Sequence, residues 1–320
     1  MIPGLKTRKR VVVEDYADGV AENSKFSVPL PLNMEAYAGI EVLIEATNSH
    51  GVAPTADGDF SKLVTSMKLR LGATDIYEAT SGFDLYKRNM LDYGVNAEQA
   101  CPKETASVSW VKFFLPIVDI KSPNPAAFLR RTSGLSNHFL EVTLGAAALC
   151  YVDGTVSFTP ITITVYAHEA EGKSAGGMVC IFTDDLITVP ASGKVYSEYK
   201  EAGSILKRLG LLAYSSAAAL SDSNITSIEI KDRAGKHDVM EKTKWRSIRA
   251  ASGMLTGIDA SLLDTGIAML PVSGNMGEYQ VVSSVSNPVE IHVEGGSADY
   301  LRVLRTLHVP LAMLPGLVAV

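Results

Sequence analysis

Apolar and polar positions alternate through much of the chain with the two-residue period of half-buried strands. Lys25 to Leu32 (KFSVPLPL), Gly39 to Thr47 (GIEVLIEAT) and Leu63 to Leu71 (LVTSMKLRL) open the series. Ser107 to Ile120, His138 to Leu144 and Thr155 to His168 continue it. In the last, Val156, Phe158, Ile161, Ile163 and Val165 fall mostly on two-residue spacing around Pro160. A stretch of small and polar residues follows, Glu169 to Gly177 (EAEGKSAGG), with the composition of a linker. Beyond it the runs resume at Met178–Phe182, Leu186–Pro190, Ile205–Tyr214 and Ile225–Lys231. They end with Gly266–Val272, Tyr279–Val285, Val289–Val293 and Tyr300–Leu311. Short runs separated by Gly, Pro, Asn and Ser predict an all-β sandwich or barrel architecture.

The two halves resemble each other in sequence. Thr65-Ser66-Met67-Lys68-Leu69-Arg70 matches Thr226-Ser227-Ile228-Glu229-Ile230-Lys231: Thr-Ser, alternating apolar positions, then a base. Asp75 to Thr80 matches Asp238 to Thr243, and each copy then enters a short helix-like stretch, Phe83–Leu91 and Lys244–Ala251. Phe114 to Ile117 matches Met269 to Val272. Ser136-Asn137 ahead of Phe139–Val142 matches Ser286-Asn287 ahead of Val289–Ile291. Ser27-Val28-Pro29 aligns with Thr188-Val189-Pro190. Collinear matches of this kind point to an internal duplication.

A jelly roll has eight strands in two sheets. Eight strands of ordinary length with their loops need about 120 to 160 residues. The 320 residues therefore hold two. The expectation is two tandem eight-stranded jelly-roll β-sandwiches with short helices in the loops. Residues 1–20 form an N-terminal basic arm, 21–168 the first roll, 169–177 the linker and 178–320 the second roll.

On the repeat, the strand count and the segment lengths, with the Thr-Ser strands at 65 and 226 as the sharpest marks, the chain resembles a viral family. This is the double jelly-roll major capsid proteins of tailless, membrane-containing icosahedral viruses, the corticovirus and finnlakevirus bacteriophages above all. The resemblance implies a homotrimer whose six barrels form a pseudo-hexagonal capsomer. It also implies neighbouring capsomers, penton and minor capsid proteins and an internal viral membrane as partners, and the virion as the location.

Composition adds exclusions. The 29 basic and 35 acidic side chains leave a net charge of -6, which argues against a nucleic-acid-coating protein and against recognition of a nucleic-acid sequence. Three cysteines, Cys101, Cys150 and Cys180, with no CxxC, exclude a disulfide scaffold and point to synthesis in a reducing compartment. No apolar run reaches membrane-span length, and no signal-peptide pattern opens the chain, so the expected site of synthesis is the host cytoplasm. The apolar tail Leu307 to Val320 is broken by Pro310 and Pro315. It packs on protein or touches lipid.

Candidate chemistry changes little. Leu262-Leu263-Asp264-Thr265-Gly266 matches an aspartic-protease signature, but that chemistry needs two carboxylates sharing a proton, and the repeat supplies no second copy. A turn before a strand accounts for it. The six histidines, His50, His138, His168, His237, His292 and His308, contain no His-x-His pair, so the metal site of a two-domain cupin is not expected. Gly172-Lys173-Ser174 lacks the earlier glycine of a phosphate loop, Ala167 standing in its place. Asp57-Gly58-Asp59 and Asp184-Asp185 are loop acids without an EF-hand. Trp110 and Trp245 are expected in cores. No catalytic residue, cofactor or metal is expected.

Lys6, Arg8, Lys9 and Arg10 make the dense basic cluster. They suit an arm facing the membrane or genome, and equally a terminus that is solvated or clamped to a neighbouring subunit. The expected function is structural, and the alternative is a carbohydrate- or receptor-binding two-domain β-sandwich. A hydrolase built on Asp264 is the weakest reading.

Overall fold

The computed structural model describes residues 5–18, 20–48, 53–54, 56, 58–94, 100–102, 108–130, 137–151, 156–171, 176–191, 193–200, 203–215, 219–232, 237–256, 263, 265–273, 288–296 and 299–310. The chain divides into two compact units between Ile181 and Phe182. The first contains β1 (Thr7–Tyr16), β2 (Lys25–Pro29), β3 (Tyr37–Asn48), β4 (Val64–Leu71), β5 (Thr74–Thr80), β6 (Val108–Pro116), β7 (Phe139–Leu144) and β8 (Phe158–Ala170). Its helix α1 spans Gly82–Tyr93. The second unit, which opens within β9 (Met178–Val189), continues with β10 (Gly193–Tyr199), β11 (Ile205–Tyr214), β12 (Ile225–Asp232) and β13 (His237–Lys244). Helix α2 (Trp245–Thr256), β14 (Ile267–Pro271), β15 (Val289–Gly295) and β16 (Asp299–Pro310) complete it.

Strand order shows what these elements build. In the first unit one layer runs β1-β8-β3-β6 and the other β5-β4-β7-β2. In the second they run β9-β16-β11-β14 and β13-β12-β15-β10. Adding eight to each strand number of the first unit reproduces the second. Each unit is a jelly roll, and the chain is a double jelly roll.

Alternation does the sorting. In β3, β6 and β8 the residues Ile40, Val42, Ile44, Val111, Phe113, Leu115, Ile163 and Val165 are fully buried. Met67, Leu69, Leu140 and Val142 supply the first core from the other layer. The second core draws on Ile228, Ile230, Val289, Ile291 and Val293, with Leu301 and Val303 from β16. β11 departs from alternation: Leu209, Leu211, Leu212 and Ala213 are all buried, the signature of a strand covered on both faces. Its neighbour β14 carries α2, and Ser252 Oγ of that helix accepts from Met269 N at 2.8 Å.

The helices follow the β4–β5 and β12–β13 hairpins, as Phe83–Leu91 and Lys244–Ala251 suggested. Ser81 caps α1, its hydroxyl accepting from Asp84 N at 3.2 Å, and Gly94 closes it at φ 68°. In the second unit, Asp222 organises the helix and the turn before β14. Its carboxylate accepts from Trp245 Nε1 and from Gly266 N, both at 2.9 Å, and pairs with Arg249. Arg249 also donates to Leu263 O and Ile267 O.

Some expectations need correction. Residues 7–16, assigned to an arm, are the first strand of the first roll. This strand was missed because its exposed positions hold Arg, Lys and Glu, so alternation of apolar residues is absent. β10 was missed for the same reason, reading GKVYSEY with little burial. The runs 178–182 and 186–190 are one strand, β9. Matching Ser27–Pro29 with Thr188–Pro190 paired β2 with β9, whereas the topological counterpart of β9 is β1. Trp245 is buried, but Trp110 is half-buried. The run 279–285 lies outside the described residues.

Gly82 begins α1 against a wall: a Cβ there would stand 2.4 Å from Ser61 O and 2.6 Å from the Val64 Cβ. Gly82→Ala should therefore destabilise the first roll by about 1–3 kcal/mol through overpacking. Gly177→Ala, with no atom within 4 Å, serves as the neutral control in thermal unfolding.

Candidate functional site: a basic edge strand clamped by carboxylates

β1 is the outer strand of its layer and pairs antiparallel with β8, Arg8 opposite Glu169 and Lys9 opposite His168. This register places the four expected bases beside acids of β3 and the end of β8. Lys6 Nζ lies 2.9 Å from Glu171, Arg8 Nη2 3.0 Å from Glu169, and Arg10 Nη1 3.5 Å from the same Glu169 oxygen. Lys9 Nζ donates to Glu41 Oε1 at 2.7 Å and sits 3.6 Å from the centre of the Tyr166 ring.

Glu41 is the hub. It is buried on β3, where three other strands bring it three cationic or hydrogen-bonding partners. Lys9 comes from β1, Lys112 from β6 at 3.0 Å, and His168 Nε2 from β8 at 3.2 Å. Burial alone would raise its pKa, but the bonds from His168, Lys9 and Lys112 outweigh burial and hold the carboxyl at about 2. Glu169 behaves alike: burial opposes ionisation, while the Glu35 amide, Arg8 and Arg10 pull its pKa below the usual range. Phe114 stands edge-on to His168 at 5.3 Å, and its ring tip fills the space a side chain at Gly39 would need.

Sequence reasoning found the bases but missed Glu41, Glu169, Lys112 and His168. The available signal was Glu41 within a strand otherwise rich in buried apolar residues.

The remaining motifs are structural where they are described. Asp264 lies outside the described residues, and its neighbour Gly266, at φ +78°, leads a turn into β14. His50, Asp57 and residues 172–174 also lie outside them. Asp59 pairs with Lys62 at 2.6 Å and caps Ala56 N, Asp184 pairs with Arg302 at 2.7 Å, and Asp185 accepts from Ser197. His292 pairs with Glu290 at 2.8 Å. His237 lies on β13, and His308 is buried on β16. Among the described residues no cluster of three metal-ligating side chains occurs. The three cysteines are buried and form no disulfide, and burial pushes the Cys101 thiol up to about 12. Among the described residues no helix is long and apolar enough to cross a membrane.

No protein-family model and no curated protein sequence matches the chain. Solved structures do. The major capsid protein of Sulfolobus turreted icosahedral virus superposes with a TM-score of 0.72 at 17% identity, covering 97% of this chain and 100% of that one. The major capsid protein P2 of bacteriophage PM2 gives 0.63 at 11% identity, over 95% of this chain and 98% of that one. The Faustovirus major capsid protein gives 0.61 at 6% identity, over 96% and 90%. At these identities the likeness establishes the double jelly-roll fold.

The Glu41 clamp has a pH signature. A carboxyl whose folded pKa lies below its unfolded value adds stability above the unfolded pKa and loses it as pH falls through the folded one. For Glu41 that window runs from about 4.5 down to about 2. Glu41→Gln should cost on the order of 2–3 kcal/mol at pH 7. In urea unfolding the gap between variant and wild type should narrow steadily from pH 5 to pH 2.5.

Proposed function

We propose that the chain is a viral major capsid protein, three copies of which form a pseudo-hexameric capsomer of an icosahedral shell laid over an internal membrane. The observation that carries this reading is the repetition of one jelly-roll strand order twice in a single chain. Two like barrels under threefold symmetry present six similar faces, and six similar faces tile a near-hexagonal lattice. The full-length likeness to capsid proteins of three viruses supports the same reading. Neighbouring capsomers, a penton protein and minor capsid proteins are the partners it implies. Virion is the location, and the role is structural, without catalysis.

In this reading Lys6, Arg8, Lys9 and Arg10 clamp β1 to its sheet instead of reaching for lipid or genome. Lys6 and Arg8 keep 86% and 61% of their side chains exposed, yet each faces a glutamate that offsets its charge. Vesicles of anionic lipid should bind wild type and a Lys6→Gln/Arg8→Gln variant equally in co-sedimentation. A loss of binding in the variant would instead assign the bases to a membrane.

The decisive measurement is solution mass. Light scattering should give three times the 34.2 kDa chain mass, and concentrated protein should form hexagonal sheets or shells under the electron microscope. A monomer that binds glycans on an array and does not assemble would support the two-domain carbohydrate- or receptor-binding alternative.

A further inference from the structure

The two layers of the first roll differ in what they turn outward. Across β1-β8-β3-β6 the register sets Val11, Tyr166, Glu41 and Phe114 in one row. Leu43 and Lys112 lie in the next row, and Trp110 stands opposite Glu45 beyond them. Val11 and Val108 on this face are 55% and 37% exposed, while Leu43, Trp110, Phe114 and Tyr166 are half-buried. The other layer turns Ser27, Lys68 and Glu141 outward, and Arg70 stands over its Phe139 ring.

The lysines of the apolar face are already matched. Lys9 and Lys112 both bond Glu41, so a partner can close over them without stranding a charge. Aromatic and apolar side chains left partly open, with their neighbouring charges paired, have the composition of an interface core. Four strands of this length at ordinary spacing cover about 500 Å², so two such faces in contact remove about 1,000 Å² from water, the area a specific interface needs.

We propose that this face docks on the second roll of a neighbouring copy, against the outer side of the layer β13-β12-β15-β10. The assignment rests on the capsomer reading: in a ring of six barrels from three chains, each junction between chains sets a first roll against a second roll through two different surfaces. Of the second roll's layers, β9-β16-β11-β14 is closed to a partner. Leu209, Leu211, Leu212 and Ala213 are buried on both faces of β11, and α2 packs on β14. The remaining layer offers Tyr196, 53% exposed and stacked on His292 with ring centres 5.3 Å apart. Around it Glu229 pairs with Lys194, and with Lys231 at 3.2 Å, so these charges too are matched within the sheet.

The test is sedimentation of the full chain with substitutions at exposed positions, Val11→Glu and Tyr196→Glu, and with Ser27→Glu on the opposite layer as control. Each of the first two should weaken trimer formation by about tenfold or more while leaving the monomer folded, and the control should not. Acrylamide quenching of wild-type fluorescence reads the same contact without a variant, because Trp245 is buried within the chain and Trp110 is half-buried. Quenching should fall as dilute monomer assembles. A chain truncated after Pro310 tests the other occupant, its own apolar tail, and as a monomer should quench no more than full-length monomer. A chain that stays monomeric at every concentration overturns the capsomer reading and this assignment with it. A trimer that survives either substitution, quenching unchanged on assembly, or greater quenching in the truncated monomer overturns the assignment alone.

Discussion

Each roll is closed by its last strand. β8 lies between β1 and β3, pairing with both, and β16 lies between β9 and β11. Before β8 takes its place, β1 has no strand to pair with among the described residues, and β3 leaves one edge open. The closing contact is far apart in the chain, Thr7 opposite Ala170. Loop closure over such distances costs entropy that is recovered once the ladder forms and the apolar faces meet. Slow, cooperative assembly of each roll is the expected consequence.

The charge cluster depends on that closure. Glu169 sits at the end of β8 and Glu41 in the middle of β3, so neither meets Arg8 or Lys9 until β8 has brought β1 alongside. Once it has, buried carboxylates gain cations from β1 and β6, and the Glu41 pKa falls to about 2. A basic strand at a sheet edge also resists unwanted pairing with a stray strand. One set of residues thus fastens an edge and guards it.

Legibility in the sequence followed burial. Strands with one wet and one dry face, such as β4 and β12, repeat their Thr-Ser openings and their alternation, and they carried the duplication into view. β1 and β10 did not show because charged and polar side chains dominate them and packing does not force their pattern. The missed β1 then displaced one repeat match, coupling β2 to β9. Trp110 illustrates the converse: an aromatic in a strand-like run reads as core, but strand pairing turned it to a half-buried position.

Period, turn residues and internal similarity determined by themselves that the chain is β-rich, doubled and helix-poor, because these are local properties of two-residue alternation and of residues that break it. The sequence also contained the bases of residues 6–10, though not their partners. Which strand lies beside which, that β1 belongs to the sheet, and that Glu41 and Glu169 answer those bases were decided only by tertiary structure. Such pairings join residues from 32 to more than a hundred positions apart, and no local pattern in the chain encodes the register that brings them together.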